Sequence, residues 1–250
     1  MRRSLVPITV AAGLAMAGGP VHATGGILGL SAGANLWYHQ PSGTQEFAGE
    51  SFDIDDDFGL NNDRDGHIWL QWDHFVPVIP SVRLERTGLS EDGTGEINLA
   101  YGDVVAGAEV KSVVDLEQTD LTLYWTPIPM PFVDFDIGIT GKHIDGEITV
   151  ENRADEAQRE SVTFSGTLPM LFGRVGIDIP GTRIRSELSI KSLDVGDHSI
   201  RDTQFMVAYK WWYAGAMVGY RDISVDLDDF DDVTVDISFN GPFAGFFLRF

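Results

Sequence analysis

Apolar and polar residues alternate along most of this chain beyond about residue 27, and the alternation is clearest in two segments. Val133, Phe135 and Ile137 share one parity with Asp134 and Asp136 between them. The final segment, residues 240–250, alternates in the same way and ends on an aromatic residue. Because successive side chains of a β-strand point to opposite faces, this pattern predicts strands with one apolar and one polar face.

Repetition of the pattern predicts about ten strands, separated by connections of two lengths. Short turns are predicted at 76–81, 127–131, 179–182 and near 212, and longer connections at 39–66, 89–112, 144–161, 193–202 and 226–234. An even number of antiparallel strands with short turns at one end and long loops at the other is typical of bacterial outer-membrane proteins. The fold class predicted is all-β, a transmembrane antiparallel up-and-down β-barrel of about ten strands.

The phase of the alternation changes in one predicted strand, 162–178. Apolar residues occupy even positions as far as Phe172 and odd positions from Val175. A shift of one residue reverses the face that a side chain occupies, so we expect a β-bulge near Gly173.

Aromatic residues cluster at the ends of the predicted strands. Two bands of membrane-interface aromatics are expected of a membrane-anchored barrel. They comprise Tyr38, Trp72, Trp125, Phe132, Trp211, Tyr220 and Phe250. A soluble β-sandwich or lipocalin-like barrel is the alternative fold, but its apolar face would point inward, and the charged face here is too uniform for a packed core.

The amino-terminal segment has the features of a secretory signal peptide. Arg2 and Arg3 precede an apolar run, Leu5 to Met16, and Val21-His22-Ala23 supplies small residues before a cleavage point. The run is shorter than the roughly 20 residues of a membrane-spanning anchor, which is the alternative interpretation. We therefore expect residues 1–23 to be cleaved, residues 24–250 to form the barrel, and the bacterial outer membrane to be its location.

Composition limits the chemistry open to the chain. The 250 residues include 17 basic and 38 acidic side chains, a formal net charge of -21, and no cysteine. Such a charge disfavours nucleic acid as a partner, because phosphates would repel it. The absence of cysteine excludes disulfides and a thiol nucleophile. We attribute the excess of acidic residues to solvated loops. Adaptation to a salty habitat and cation binding are the alternatives.

Charged residues also recur on the polar faces of the predicted strands. The predicted lumen charge network comprises Arg83, Glu85, Asp134, Asp136, Arg183, Arg185, Glu187, Lys191, Lys210, Arg221 and Arg249. The interior of a barrel of about ten strands is narrow, since eight strands are filled by side chains and 16–18 leave a channel. Buried charges must pair, so we expect a mixed-charge plug, with a narrow channel as the alternative.

The longest predicted loops are acidic. Within the first, Asn61-x-Asp63-x-Asp65-Gly66 resembles the start of a calcium-binding loop, but Trp72 stands where the twelfth-position glutamate belongs. We expect no dedicated metal site and no cofactor. Divalent cations bridging these loops to lipopolysaccharide phosphates remain an alternative.

An enzyme would need a histidine oriented by a carboxylate. Asp197-His198 is the nearest candidate, followed by Ser199, but neighbours on an extended strand point to opposite faces. His39, His67, His74 and His143 lie on separate predicted elements without metal-ligand spacing, so we expect rim or loop roles for them. A rim hydrolase is therefore kept only as an alternative.

The turn at Trp72 to Leu84 resembles a family pattern. It is similar to the Glu-His-Pro-x-Pro-x-x-Pro-Asn turn of a little-characterised family of proteobacterial outer-membrane proteins, with departures at Asp73, Phe75 and Ser81. The resemblance implies an outer-membrane barrel and supplies no catalytic residue. The sequence thus predicts a monomeric, non-enzymatic barrel with a structural, adhesive or narrow-channel role. Its expected partners are outer-membrane lipid, lipopolysaccharide and, through Phe250, the barrel-assembly machinery.

Overall fold

In the part of the chain that the structure describes, eleven antiparallel strands form one sheet, and all of them except the four-residue β2 join a closed ring. The strands of this computed structural model are β1 Leu28–Phe47, β2 Glu50–Asp53, β3 Asp63–His74, β4 Ser81–Ile97, β5 Ala108–Trp125, β6 Val133–Asn152, β7 Arg159–Asp178, β8 Ile184–Val195, β9 His198–Lys210, β10 Ala214–Phe230 and β11 Val233–Arg249. Each ring strand pairs with its neighbour in sequence, and β11 pairs with β1 to close the barrel. The predicted ten-stranded up-and-down barrel is confirmed.

The structure describes residues 28–47, 50–53, 63–74, 76, 78–97, 104, 107–128, 130–155, 157–196, 198–230 and 233–250. The predicted signal peptide lies outside these residues, as do Asp197 and the acidic residues 55–57. No helix in the described part of the chain is long and apolar enough to cross a membrane.

The predicted long connections are wrong in extent, because most of their residues belong to strands. β6 and β7 each contain 20 residues, and only 153–158 separates them. β4 likewise continues to Ile97. Backbone hydrogen bonds form a sheet whatever the polarity of the side chains, so strands continue where both faces become polar. The sequence pattern showed only the portion with an apolar face.

Apolar side chains cover the outside of the barrel. They form a band around it near the end that carries the short turns (the turn end). Its exposed members include Leu30, Leu36, Ile68, Leu70, Leu84, Leu121, Ile137, Ile139, Leu171, Ile177, Leu188, Ile190, Phe205, Val218, Phe246 and Leu248. Towards the opposite end (the loop end), outward positions become polar, as at Arg86 and Glu117. The outward apolar face contradicts the soluble alternatives, which would bury it.

The predicted bulge near Gly173 is wrong. Pairing of β6 with β7 runs without a shift from Val133–Ile177 to Glu151–Arg159. Met170 and Phe172 point into the barrel and are buried. The apolar positions change parity because, along β7, apolar residues occupy the interior face as far as Phe172 and the outer face from Val175, while the register of the strand does not shift.

One wall of the interior is apolar. Trp37, Leu89, Ala208, Met217, Ile223, Phe239, Phe243 and Phe247 form a buried cluster there, mostly from β1, β10 and β11. The ring of Phe243 lies over Gly219 and that of Phe247 over Gly215, where any Cβ would overlap the ring. Glycine therefore lets the rings lie flat on the wall. The facing strands, β4 to β9, carry most of the charged side chains.

Towards the loop end the wall forks at two seams. β3 and β4 pair only as far as His67–Thr87, and β7 and β8 only as far as Leu171–Ser192. Between these seams β4 to β7 continue as a four-stranded sheet, up to Ile97–Ala108 on one side. We call this sheet the four-stranded wing.

Candidate functional site

A cluster of paired charges lies in the middle of the barrel. Lys191 of β8 places its Nζ 2.6 Å from Glu85 Oε2 of β4 and 2.6 Å from Asp120 Oδ2 of β5. In the ring, β4 and β8 are four strands apart, so this contact crosses almost the full width of the interior. The Lys191 side chain therefore joins opposite walls.

The same chain of charges continues towards β10. Lys142 Nζ lies 3.0 Å from Asp120 Oδ2 and 3.3 Å from Asp202 Oδ2. Arg221 donates to both oxygens of Asp202, at 3.0 and 2.7 Å, and to Thr87 Oγ1 at 3.1 Å. Two-point pairing of a guanidinium with a carboxylate fixes both groups.

The six charges of this central cluster balance. Three are acids and three are bases: Glu85, Asp120, Asp202, Lys142, Lys191 and Arg221. All six are buried, with Lys191 only 6% exposed. A buried isolated ion is very costly, so the arrangement is stable only because each charge has an opposite partner and hydrogen bonds.

A second layer lies nearer the turn end. Arg174 donates to Asp136 Oδ2 at 2.7 Å and to Gln71 Oε1 at 2.9 Å, and Arg83 also donates to Gln71. Arg185 lies 2.7 Å from Asp134 Oδ2. The Arg174 guanidinium also stacks 4.7 Å from the centre of the Tyr124 ring. The Gln71 contacts tie β3 to β7, so this layer also spans the interior. Together with the central cluster it forms what we call the inner network.

The structure places all but one of the predicted lumen charges at inward positions. These are Arg83, Glu85, Asp134, Asp136, Arg185, Glu187, Lys191, Lys210, Arg221 and Arg249. Arg183 instead lies in the exposed turn before β8. The prediction missed Asp120, Lys142 and Asp202, which are half of the six charges of the central cluster, and Arg174 of the second layer. Each of these residues stands at an even position of β5, β6, β7 or β9, the positions that face the interior, and this alternation could have identified them.

A separate group of titratable side chains lies above the apolar band, at the β3–β4 fork. His39 Nε2 is 3.0 Å from Asp65 Oδ2, and His39 Nδ1 is 2.8 Å from Glu91 Oε1. The latter is an ion-pair contact without hydrogen-bond alignment, and Glu91, although buried, has no hydrogen bond in the described part of the chain. Asp65 also accepts from the Ser90 backbone N–H at 2.9 Å. This carboxylate therefore bridges two strands that no longer pair.

The protonation of this group follows from its partners. Burial by itself lowers the pKa of His39, but the hydrogen bond to Asp65 and the negative charges of Asp65 and Glu91 outweigh burial and raise that pKa to about 9. Burial raises the pKa of Glu91, although His39 partly opposes it. His39 is therefore an imidazolium at neutral pH.

The other candidate sites named from the sequence, the calcium-like motif and the histidines, do not come together in the structure. Asp63 and Asp65 of the calcium-like motif lie in the extended strand β3, which lacks the turn that such a loop requires. His67 contacts Thr87 in the interior, whereas His74 donates to the Pro80 carbonyl at the turn end. Over the described residues, no group of histidine and acidic side chains is arranged to hold a metal ion. Asp197, of the candidate pair Asp197-His198 that the sequence argued against, lies outside the described residues.

The predicted interface aromatics occupy both ends of the apolar band. Tyr38 and Tyr220 lie at its loop end, and Tyr220 donates to Asn240 at 2.7 Å. The turn end carries Trp72, Trp125, Phe132, Trp211 and Phe250. Most of these rings are exposed, and Trp212 and Tyr213 add to the same end.

Comparisons with known proteins give a fold and no family. No family model and no curated protein matches the sequence. Among solved structures, the outer membrane protease OmpT from Escherichia coli aligns with a TM-score of 0.50 and 10% identity, over 89% of this chain and 97% of that chain. Ail, the attachment invasion locus protein of Yersinia pestis, gives 0.36 and 9%, over 88% and 98%. The P. putida toluene transporter TodX gives 0.33 and 6%, over 88% and 89%. The likeness to OmpT shows the barrel fold alone.

Proposed function

We propose that this chain is a non-enzymatic bacterial outer-membrane barrel that is closed to solutes and acts through its loop end. The observation that carries the proposal is the inner network, whose contacts join opposite walls. A channel would need an open path between these walls. A closed interior favours a structural or adhesive role over a narrow channel.

The apolar band supports the membrane placement. Its side chains are exposed all around the barrel, and water would make that exposure costly. On the turn side of the two forks the strands pair all the way round the closed ring, so their ladder hydrogen bonds are satisfied within the barrel, as hydrocarbon requires of a spanning structure. Aromatic rings at both ends of the band fit the two membrane interfaces. An N-terminal signal peptide and capture of Phe250 by the assembly machinery complete the proposal.

Conductance in planar bilayers tests whether the interior is closed. We expect the wild-type barrel to give no stepwise current. The double variant Glu85→Ser, Lys191→Ser removes one acid and one base, keeps the central cluster neutral and opens space, so it should conduct. Arg86→Ser, Glu117→Ser is the matched control, because this pair is exposed on the outside. Steady unitary steps from the wild-type protein would refute closure.

A second candidate function is divalent-cation binding on the outer face of the four-stranded wing. Asp115 pairs in register with Glu147, and Glu117 pairs with Asp145. Like charges directly opposite each other on neighbouring strands are destabilising, although Arg86 already offsets the charge of Glu117. Because the described side chains form no metal-binding group, the cations would be held as loose counterions on this face. Such cations would also bridge to lipopolysaccharide phosphates. Calorimetry with millimolar Ca²⁺ should show binding that Asp115→Asn, Glu147→Gln weakens, and the absence of heat for the wild type would remove this candidate.

The non-enzymatic assignment rests on how His39 is held. Both ring nitrogens face carboxylates and the side chain is buried, so it cannot take a proton from a substrate. Peptide and lipid-ester hydrolysis assays should therefore give the same background for the wild type, His39→Ala and His198→Ala. Turnover that is lost in either variant would identify a rim hydrolase.

A further inference from the structure

The barrel wall contains a notch where β7 and β8 separate. Their pairing ends at Leu171–Ser192, although β7 stays paired with β6 as far as Arg159. Pro169 lies two residues beyond the last β7–β8 pair. Proline has no N–H and is tolerated where a strand has become an edge. Pro169 is therefore compatible with the separation of β7 from β8 at this point.

A cavity of about 460 Å³ occupies this fork, lined by residues 139–141, 169–171 and 192–194. Thr140 and Met170 are buried and close its inner side. Ile139 and Leu171 form its outer lip, and Leu171 is 72% exposed, the most exposed leucine of the apolar band. The hollow therefore opens outward, on the same surface as the band.

Polar groups border the notch on its loop side. Ser192 donates to Asp194 Oδ2 at 2.6 Å, and Arg201 Nη2 lies 3.7 Å from Asp194 Oδ1. Half of the Arg201 side chain is exposed. A ligand in the notch would meet apolar atoms below and, on the loop side, the Asp194 carboxylate with the Arg201 guanidinium beside it.

We propose that this notch binds one acyl chain of lipopolysaccharide, with a lipid A phosphate near Arg201. The proposal rests on the outer-membrane placement given above. In bacterial outer-membrane barrels the short turns face the periplasm, so the loop end lies in the outer leaflet. The notch is continuous with the hydrocarbon-facing band, and an empty apolar hollow there would forfeit dispersion contacts that a chain can make. Water would not fill the notch well, because the apolar sides of the notch offer it few hydrogen-bond partners. A guanidinium matches phosphate geometry and charge.

Filling the notch tests the acyl-chain site. A Cβ at Gly141 would meet nothing within 4 Å, so Gly141→Phe should place its ring in the hollow without a backbone clash. Gly88→Phe is the matched control, since Gly88 is also an outward glycine with open space around it. Native mass spectrometry with purified lipid A should show one lipid on the wild type and on Gly88→Phe. Affinity should fall at least about tenfold in Gly141→Phe. Equal retention in all three proteins would overturn the site.

A second pair of variants tests the phosphate contact independently of notch packing. Arg201→Gln should weaken lipid A binding several-fold and leave binding of dephosphorylated lipid A unchanged. Arg86→Gln, another exposed outward arginine, should change neither. Unchanged binding in Arg201→Gln, or preference for phosphatidylethanolamine over lipid A, would overturn the assignment to lipopolysaccharide.

Failure here is distinct from failure of the proposed function. A wild-type barrel that conducts yet still loses lipid A in Gly141→Phe would refute the closed interior and support the notch. A barrel that folds without detergent or lipid would refute the membrane placement and the notch together.

Discussion

Replacing Lys191 by methionine tests whether the inner network holds the barrel closed and stable. Methionine keeps most of the apolar length of the lysine chain and removes the ammonium. Glu85 and Asp120 then lose a partner at 2.6 Å each. Each carboxylate keeps one cation, Arg83 for Glu85 and Lys142 for Asp120. The central cluster goes from three acids and three bases to three acids and two bases.

The magnitude follows from burial. Removing one member of a buried ion pair typically costs about 3–5 kcal/mol, because the remaining charge is left uncompensated. The retained cations place the expected loss near the lower figure, about 3 kcal/mol. Arg86→Met breaks the Arg86–Glu117 pair, whose side chains are 58% and 64% exposed, and should cost no more than about 1 kcal/mol.

Urea unfolding in detergent micelles, followed by tryptophan fluorescence, measures both losses. The double variant Lys191→Met, Glu85→Gln restores charge balance and should recover part of the lost stability. The reasoning would be refuted if Lys191→Met cost no more than Arg86→Met, since the central charges would then be hydrated rather than packed. A loss with no recovery in the double variant would instead point to lost packing.

Three further predictions concern other parts of the barrel. The His39 pKa of about 9 exceeds the ordinary 6.5, so its imidazolium stabilises the folded state fully below about pH 6.5 and loses this effect as the pH rises through 9; the stability advantage of the wild type over His39→Gln should shrink by roughly 3 kcal/mol between pH 6 and pH 10 in unfolding titrations, and an advantage that does not depend on pH would contradict the ion pairs. Gly219→Ala should lower the free energy of unfolding by about 1–3 kcal/mol, because the new methyl group overlaps both the backbone carbonyl of Phe205 and the Phe243 ring, whereas Gly88→Ala should not; equal effects would show that these neighbours can move aside. Ile137→Arg puts a charge in the apolar band and should cost about 2–4 kcal/mol for folding into vesicles, while the same change at Thr119, beyond the band, should cost less than about 1 kcal/mol; similar costs would place the bilayer elsewhere.

The sequence by itself determined the faces of the strands. A period of two places Ile137 outside and Asp136 inside whatever the neighbours are, so parity alone located the apolar band and most inward charges. Aromatic residues beside the turns likewise marked the ends of the band. Strand number followed from counting the alternating segments, because each segment is bounded by turn residues.

Only the tertiary structure decided which charges meet. Lys191 reaches Asp120, 71 residues earlier in the chain, because the width of the closed ring brings β5 and β8 within one side-chain length. The sequence showed the parity change in β7 but not its cause, and it did not show the two forks, because both depend on the neighbouring strands. His39 and Glu91 show this most clearly. Separately each is an ordinary polar residue, and their pairing exists because β3 and β4 part above His67.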